Sequence, residues 1–201
     1  MKRNYPDWVE LWPCLLRQAT ECIRNTQKLS LTSNEIISCC ATSVILSRTA
    51  WECFINQFIF VRNLQNEVSI HQKFHKKTSI LLEKLGCPIS SWNEEPWNKL
   101  SFVNDLRNAL VHYDSCPRFN GEAPKELYAK LEHCYSDFKY NANSENWIRV
   151  LLCPSIAEWA CISVGESILF FENILKNRYK NPDITKTLLN HIFEDFWRAN
   201  G

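Results

Sequence analysis

The sequence predicts an all-α fold, a single-domain bundle of about seven helices, and three observations carry that expectation. The chain has only four Gly in 201 residues, and Gly is the residue from which hairpins, bulges and phosphate-cradling loops are built. Its apolar residues recur at helical spacing, with no credible strand, no internal repeat and no low-complexity tract. Short connections marked by Pro, Gly or polar runs separate the periodic stretches, which favours antiparallel neighbours in a bundle.

Taken in order, Pro6 and Asp7 open a first helix running to Leu29, with Pro13 tolerated near its start or kinking it. Thr32-Ser33-Asn34-Glu35 reads as a capping box, hydroxyl at one end of the turn and carboxylate at the other. It starts the longest helix, where Ile37, Val44, Trp51 and Phe58 recur every seven residues and Cys40, Ser47, Phe54 and Val61 interleave with them, to an end near Asn66. A shorter helix spans Ser69 to Leu85 and stops at Gly86, with Pro88 beyond. Pro96 opens a helix carrying Trp97, Leu100, Val103, Leu106 and Leu110 up to His112 or Tyr113. Pro124 opens another, to about Tyr140, broken by the polar run Asn141 to Asn146. Pro154 to Tyr179 and Pro182 to Ala199 complete the set.

Composition bounds the function. Hydrophobic residues make up 45% of the chain, with eleven Phe, eight Trp and six Tyr, enough core filler to fold without metals or cross-links. A formal net charge of +1 gives no bulk field for nucleic acid or an acidic membrane, so any such contact must be local. The ten cysteines, Cys14, Cys22, Cys39, Cys40, Cys53, Cys87, Cys116, Cys134, Cys153 and Cys161, include no C-x-x-C pair and mostly fall in apolar runs. They read as small buried hydrophobes in a reducing compartment rather than as a disulfide framework. The stretch from Met1 to Asp7 passes directly into an amphipathic pattern rather than a signal-peptide core, and apolar runs fall short of membrane length. A cytoplasmic location without a membrane partner is therefore expected.

One stretch holds chemistry. With Arg107 at zero on a helical wheel, Val111, Asn104, Asn108, His112 and Asp105 fall at roughly 40, 60, 100, 140 and 160°. Phe102, Val103, Leu106, Ala109, Leu110 and Tyr113 fill the opposite side. The helix thus has an apolar face for the core and a polar strip bordered by Arg107 and His112, with Asn108 one turn before His112. An imidazole, which titrates near neutral pH, can take a proton from a hydroxyl or give one to a leaving oxygen. A guanidinium presents a rigid fork of donors to phosphate oxygens as they gather charge, and the Asn108 amide can hold the imidazole or a phosphate oxygen.

The run Arg107-Asn108-Ala109-Leu110-Val111-His112 resembles the R-N-x-x-x-H motif of the HEPN superfamily, all-helical domains of which many are metal-independent ribonucleases in toxin, antiviral and RNA-processing systems. It stands late in a helix that follows a long amphipathic one bearing an acidic residue, Glu52, within Trp51-Glu52-Cys53-Phe54-Ile55-Asn56. The resemblance covers about residues 33–113, with the flanking helices 5–29 and 124–199 packed on that core in one domain, 1–201. It implies Arg107, His112 and Asn108 as catalytic residues, Glu52 and Asn104 in support, and no cofactor or metal. It also implies a homodimer that joins two motifs, since one imidazole cannot be acid and base at once, an RNA substrate and, for a toxin, an antitoxin partner. Some HEPN toxins are silenced by nucleotidylation of a Tyr two residues after the His; here that position is Asp114 and Tyr113 stands one earlier, which puts such regulation in doubt.

Plainer readings stand beside these. Arg107 and His112 also fit an ordinary helix-end pair, with His112 near the C-terminal dipole. Glu52 has Arg48 and Asn56 one turn away on its own helix, and pairing there is the better expectation. His71 and His75 are one turn apart but lack both the intervening Glu of a zinc protease and a third ligand. With Lys73, Lys76 and Lys77 they form a solvated cationic face, or a track of contacts to RNA phosphates; Lys176, Arg178 and Lys180 offer the same two readings. His133 and His191 read as core or surface residues. Three functions remain open: an RNA-cleaving HEPN-type enzyme, a non-catalytic HEPN-like module that binds a nucleotide, an RNA or a protein, and a helical scaffold in which the motif is accidental.

Overall fold

The structure, a computed structural model, describes residues 11–27, 31–112, 125–135 and 147–179. These form an all-α, single-domain bundle of seven helices: α1 (Leu11–Thr26), α2 (Ser33–Val61), α3 (Phe74–Lys84), α4 (Trp97–Val111), α5 (Lys125–Cys134), α6 (Trp147–Leu151) and α7 (Pro154–Tyr179), with no strand among the described residues. α2 is the central column. α1 lies along it, α7 packs on α1, α2 and α4, and α5 lies against α4.

Local chemistry explains where the helices begin and end. Thr32 Oγ1 accepts the Glu35 backbone N–H while the Glu35 carboxylate accepts the Thr32 N–H, the expected capping box at the head of α2. α2 ends at Val61, five residues before Asn66. Asn63 adopts φ 55°, its N–H meets the Phe60 carbonyl at 3.0 Å, and the Leu64 N–H meets the Ile59 carbonyl at 2.9 Å. That is a Schellman stop, with Asn in the left-handed position that Gly usually fills. The same motif closes α3 with Gly86 at φ 65°: the Gly86 and Cys87 N–H groups reach the Glu83 and Leu82 carbonyls at 2.8 and 2.9 Å. α3 begins at Phe74 rather than Ser69. The Ser69 hydroxyl accepts the His71 N–H at 3.3 Å, a local turn that competes with helix nucleation.

Other boundaries vary in the same way. Pro13 lies in the first turn of α1, where a missing N–H costs no hydrogen bond. Pro96 caps α4 and His112 closes it. The run between Asn146 and Pro154, assigned to no helix from the sequence, contains the short α6, which seats Leu151 and the following Leu152 in the core. Residues 1–10, 136–140 and the expected helix Pro182 to Ala199 lie outside the described residues.

The seven-residue stripe of α2 is the core's spine: Cys40, Val44, Ser47, Trp51, Phe54 and Phe58 are buried, with Ile37 partly so. Phe171 of α7 meets Trp51, Phe54 and Phe58 edge-on at 6.1, 5.5 and 5.3 Å between ring centroids, and Trp97 of α4 meets Trp51 at 6.4 Å. These edge-to-face contacts add to the burial of large apolar area. They also fix α4 against α2, which positions the polar ends described next. No helix among the described residues is long and apolar enough to cross a membrane.

Candidate functional site

The apolar side of α4 is buried as the wheel requires: Leu100, Phe102, Val103, Leu106 and Ala109 are in the core, and Leu110 is partly covered. The motif residues are kept out of it. Arg107 and Asn108 are half-buried and Val111 and His112 exposed. Arg107 Nη1 donates to Asn108 Oδ1 at 3.1 Å. His112 caps the helix, its backbone N–H bonded to the Asn108 carbonyl at 3.0 Å, so its side chain leaves from the last turn.

Asn104, expected on the polar strip, is buried and works inward. Its Oδ1 accepts from Arg48 Nε on α2 at 3.1 Å, and its amide nitrogen donates toward Asp105 at 3.5 Å. Arg48 is almost covered. Its guanidinium lies over the Phe74 ring, 4.9 Å from the centroid, and Nη1 pairs with Glu52 one turn on, as expected for that carboxylate. The rest of the Glu52 environment departs from expectation. Lys77 Nζ reaches both Glu52 Oε1, at 3.2 Å, and Asn56 Oδ1, at 3.0 Å, so Asn56 joins through the lysine rather than by a direct bond.

Lys77 is therefore a correction. Its residue is 3% exposed, whereas a solvated cationic face, or a track along an RNA backbone, needs it in water. The i+3 spacing from Phe74 turns it under α2 while Lys73 and Lys76 stay exposed. His75 is half-buried as well, its Nε2 3.0 Å from Ser101 Oγ and its ring edge-on to Trp92 at 4.4 Å. It turns toward α4 and away from His71, which is exposed. Among the described residues no group of three or more His, Cys, Asp or Glu is placed to hold a metal ion. The second cationic run, Lys176, Arg178 and Lys180, and His191 lie outside what is described of side chains.

Electrostatics tie the two halves together. Burial draws the Arg48 guanidinium's proton affinity below its ordinary value; Glu52 opposes this, and the Arg107 charge adds to it. Burial raises the Glu52 carboxyl, but the charges and hydrogen bonds of Arg48 and Lys77 outweigh that and hold it below the usual carboxylate range. Burial also pushes His75 down, against the pull of Asp105 and with the push of Lys130 and Arg48. Asp105 is itself paired with Lys130 of α5.

The structure thus brings Glu52, Arg48 and Asn104 into one polar seam across α2 and α4, with the charge of Arg107 acting on Arg48. Sequence reasoning named Arg48 and Asn56 only as neighbours of Glu52, and missed Phe74 and the inward turn of Lys77. A signal existed: Arg48, Glu52 and Asn56 recur every four residues beside the buried stripe of α2, and three such polar residues on one flank of a core helix need partners on a neighbouring element. Compared with known proteins, the chain matches no family model, no curated protein and no solved structure.

Proposed function

We propose that the chain is a metal-independent, HEPN-type endoribonuclease that cuts RNA by attack of a ribose 2′-hydroxyl on its own phosphate. The observation that carries this reading is the division of α4: five neighbouring side chains lock it into the core, while Arg107, Asn108 and His112 stay outside at its end. In the reaction His112 moves the proton of the 2′-hydroxyl or of the leaving 5′-oxygen. Arg107, oriented by Asn108, meets the charge on the phosphate oxygens. A second motif from a partner copy supplies the complementary acid or base, which makes the working form a homodimer. A role as a toxin or antiviral effector and an antitoxin partner rest on the motif's resemblance alone, and a place in the cytoplasm on the cysteine usage and the N-terminal pattern.

The experiment is direct. The purified chain cleaves single-stranded RNA in the presence of EDTA, leaves RNA blocked at the 2′ position and DNA intact, and produces 2′,3′-cyclic phosphate ends. Unstacked strands are the expected targets because they bend into in-line geometry that a duplex resists. Light scattering of the same preparation reports a dimer at micromolar concentration; a strict monomer removes the composite site. A chain that binds RNA and leaves it uncut supports instead a non-catalytic binding module.

A further inference from the structure

Four of the chain's ten cysteines, Cys22, Cys39, Cys40 and Cys153, gather where α2 begins. The topology puts Cys22 beside Cys39. Trp12, at the start of α1, meets Phe54, late in α2, with ring centroids 5.7 Å apart, so α1 runs back along α2 and its last turns, with Cys22, lie against the first turns of α2. Cys40 belongs to the core stripe and is fully buried. Cys39 is turned about 100° from it, toward the flank where Ser43, Ala50 and Phe54 are buried, which is the flank that Trp12 of α1 covers. Cys22 is buried and Cys39 partly exposed, and the charge of a Cys39 thiolate acts on Cys22. Cys153 is engaged in its own turn, with Sγ 3.2 Å from Ser155 Oγ. Helices packed side by side bring facing Cα atoms to roughly 4–6 Å, the separation that a disulfide bridges.

We propose that Cys22 and Cys39 are a peroxide-sensitive thiol pair that closes to a disulfide and staples α1 to α2. Cys39, at the exposed edge, is the sulfur that hydrogen peroxide reaches first. Its thiolate attacks one peroxide oxygen, the O–O bond breaks to leave a sulfenic acid, and the departing hydroxide takes up the thiol's proton as water. The Cys22 sulfur then attacks that sulfur, the S–O bond breaks, and the hydroxyl leaves with the second thiol proton as another water. Two thiols and one peroxide thus give one disulfide and two waters. Burial raises Cys22 above its ordinary value and holds it as the neutral thiol, in reserve until Cys39 has reacted. A thiol reductant reverses the step by exchange. The pair does not depend on whether the α4 motif cuts RNA.

Mass spectrometry of the reduced full chain, treated with equimolar hydrogen peroxide and then alkylated under denaturing conditions, tests it. The expected product has lost two hydrogens, recovers them with dithiothreitol, and on fragmentation of its peptides joins Cys22 to Cys39 within one chain. Cys22→Ser is expected to abolish the disulfide and leave a Cys39 sulfenic acid that dimedone traps; Cys39→Ser is expected to abolish both products. Cys153→Ser is expected to oxidise as the parent does. The proposal is overturned by a parent chain that keeps both thiols free, by a bridge that joins another pair or two chains, by a disulfide that persists in Cys22→Ser, or by loss of the bridge in Cys153→Ser. If Cys22→Ser does not fold, the pairing mapped in the parent decides alone, because it needs no substitution.

Discussion

The two charged regions of the molecule sit a few residues apart and are built on opposite terms. In the α2–α3 seam Arg48 is boxed in on three sides, by Glu52, Asn104 and the Phe74 ring, and Lys77 is buried beneath Glu52 and Asn56. At the end of α4, His112 projects from the final turn and Arg107 is anchored to the neighbouring Asn108. Both regions carry cations, and those of the first are held by partners from other helices. Fixed charge holds the bundle's polar seam in register. On the proposed function, the seam is the support and the end of α4 the working part.

The strongest way to break that assignment is to cut the seam. Arg48→Ala strips Glu52 of its closest partner, Asn104 of its donor and Phe74 of its cation, and is expected to cost about 3 kcal/mol, the low end for breaking a buried pair because Glu52 is partly solvated. Chemical denaturation measures it; a loss below about 1 kcal/mol would show that the seam is ordinary surface. Lys77→Met sharpens the contrast, since it removes one buried cation and leaves a balanced pair, and its stability is expected within about 1 kcal/mol of the parent. At the other region, Arg107→Ala and His112→Ala are expected to change stability by no more than about 0.5 kcal/mol. A large drop in Tm for either would make the α4 end structural.

The smallest expected effect is on pH dependence. His75 is half-buried between Ser101 and Trp92 and its folded-state affinity for protons is depressed. Its contribution to stability is therefore present above the unfolded imidazole value of about 6.5 and is lost as pH falls through the window below it. Between about pH 7 and pH 5 the parent Tm is expected to decline more steeply than that of His75→Phe. Parallel slopes would mean His75 is as proton-avid folded as unfolded.

Much of the fold was legible because its signals are local. The Thr32–Glu35 box, the seven-residue stripe of α2, Gly86 before Pro88, and Pro154 at the head of α7 each act within a turn or two of chain. The errors fall where a weaker local signal overrode the pattern. Asn63 in a left-handed stop ended α2 early and the Ser69 turn delayed α3, while α6, whose Leu151 is buried, formed in a stretch assigned to no helix. The candidate site was legible only in part. The separation of Arg107, Asn108 and His112 from the apolar face of α4 follows from periodicity alone. The partners of Asn104 and Lys77 come from helices 56 and 25 residues away in sequence, and no window on one helix reveals which side of a lysine a neighbour will cover.

The central claim, that the α4 end is a transphosphorylating site, is tested most directly by mapping the ends of an RNA incubated with the purified chain in EDTA. The account requires 2′,3′-cyclic phosphate termini, formed at least about 100-fold more slowly by His112→Ala and by Arg107→Ala while both variants stay folded. RNA left uncut by the parent protein, or cut only when magnesium is supplied, would contradict it.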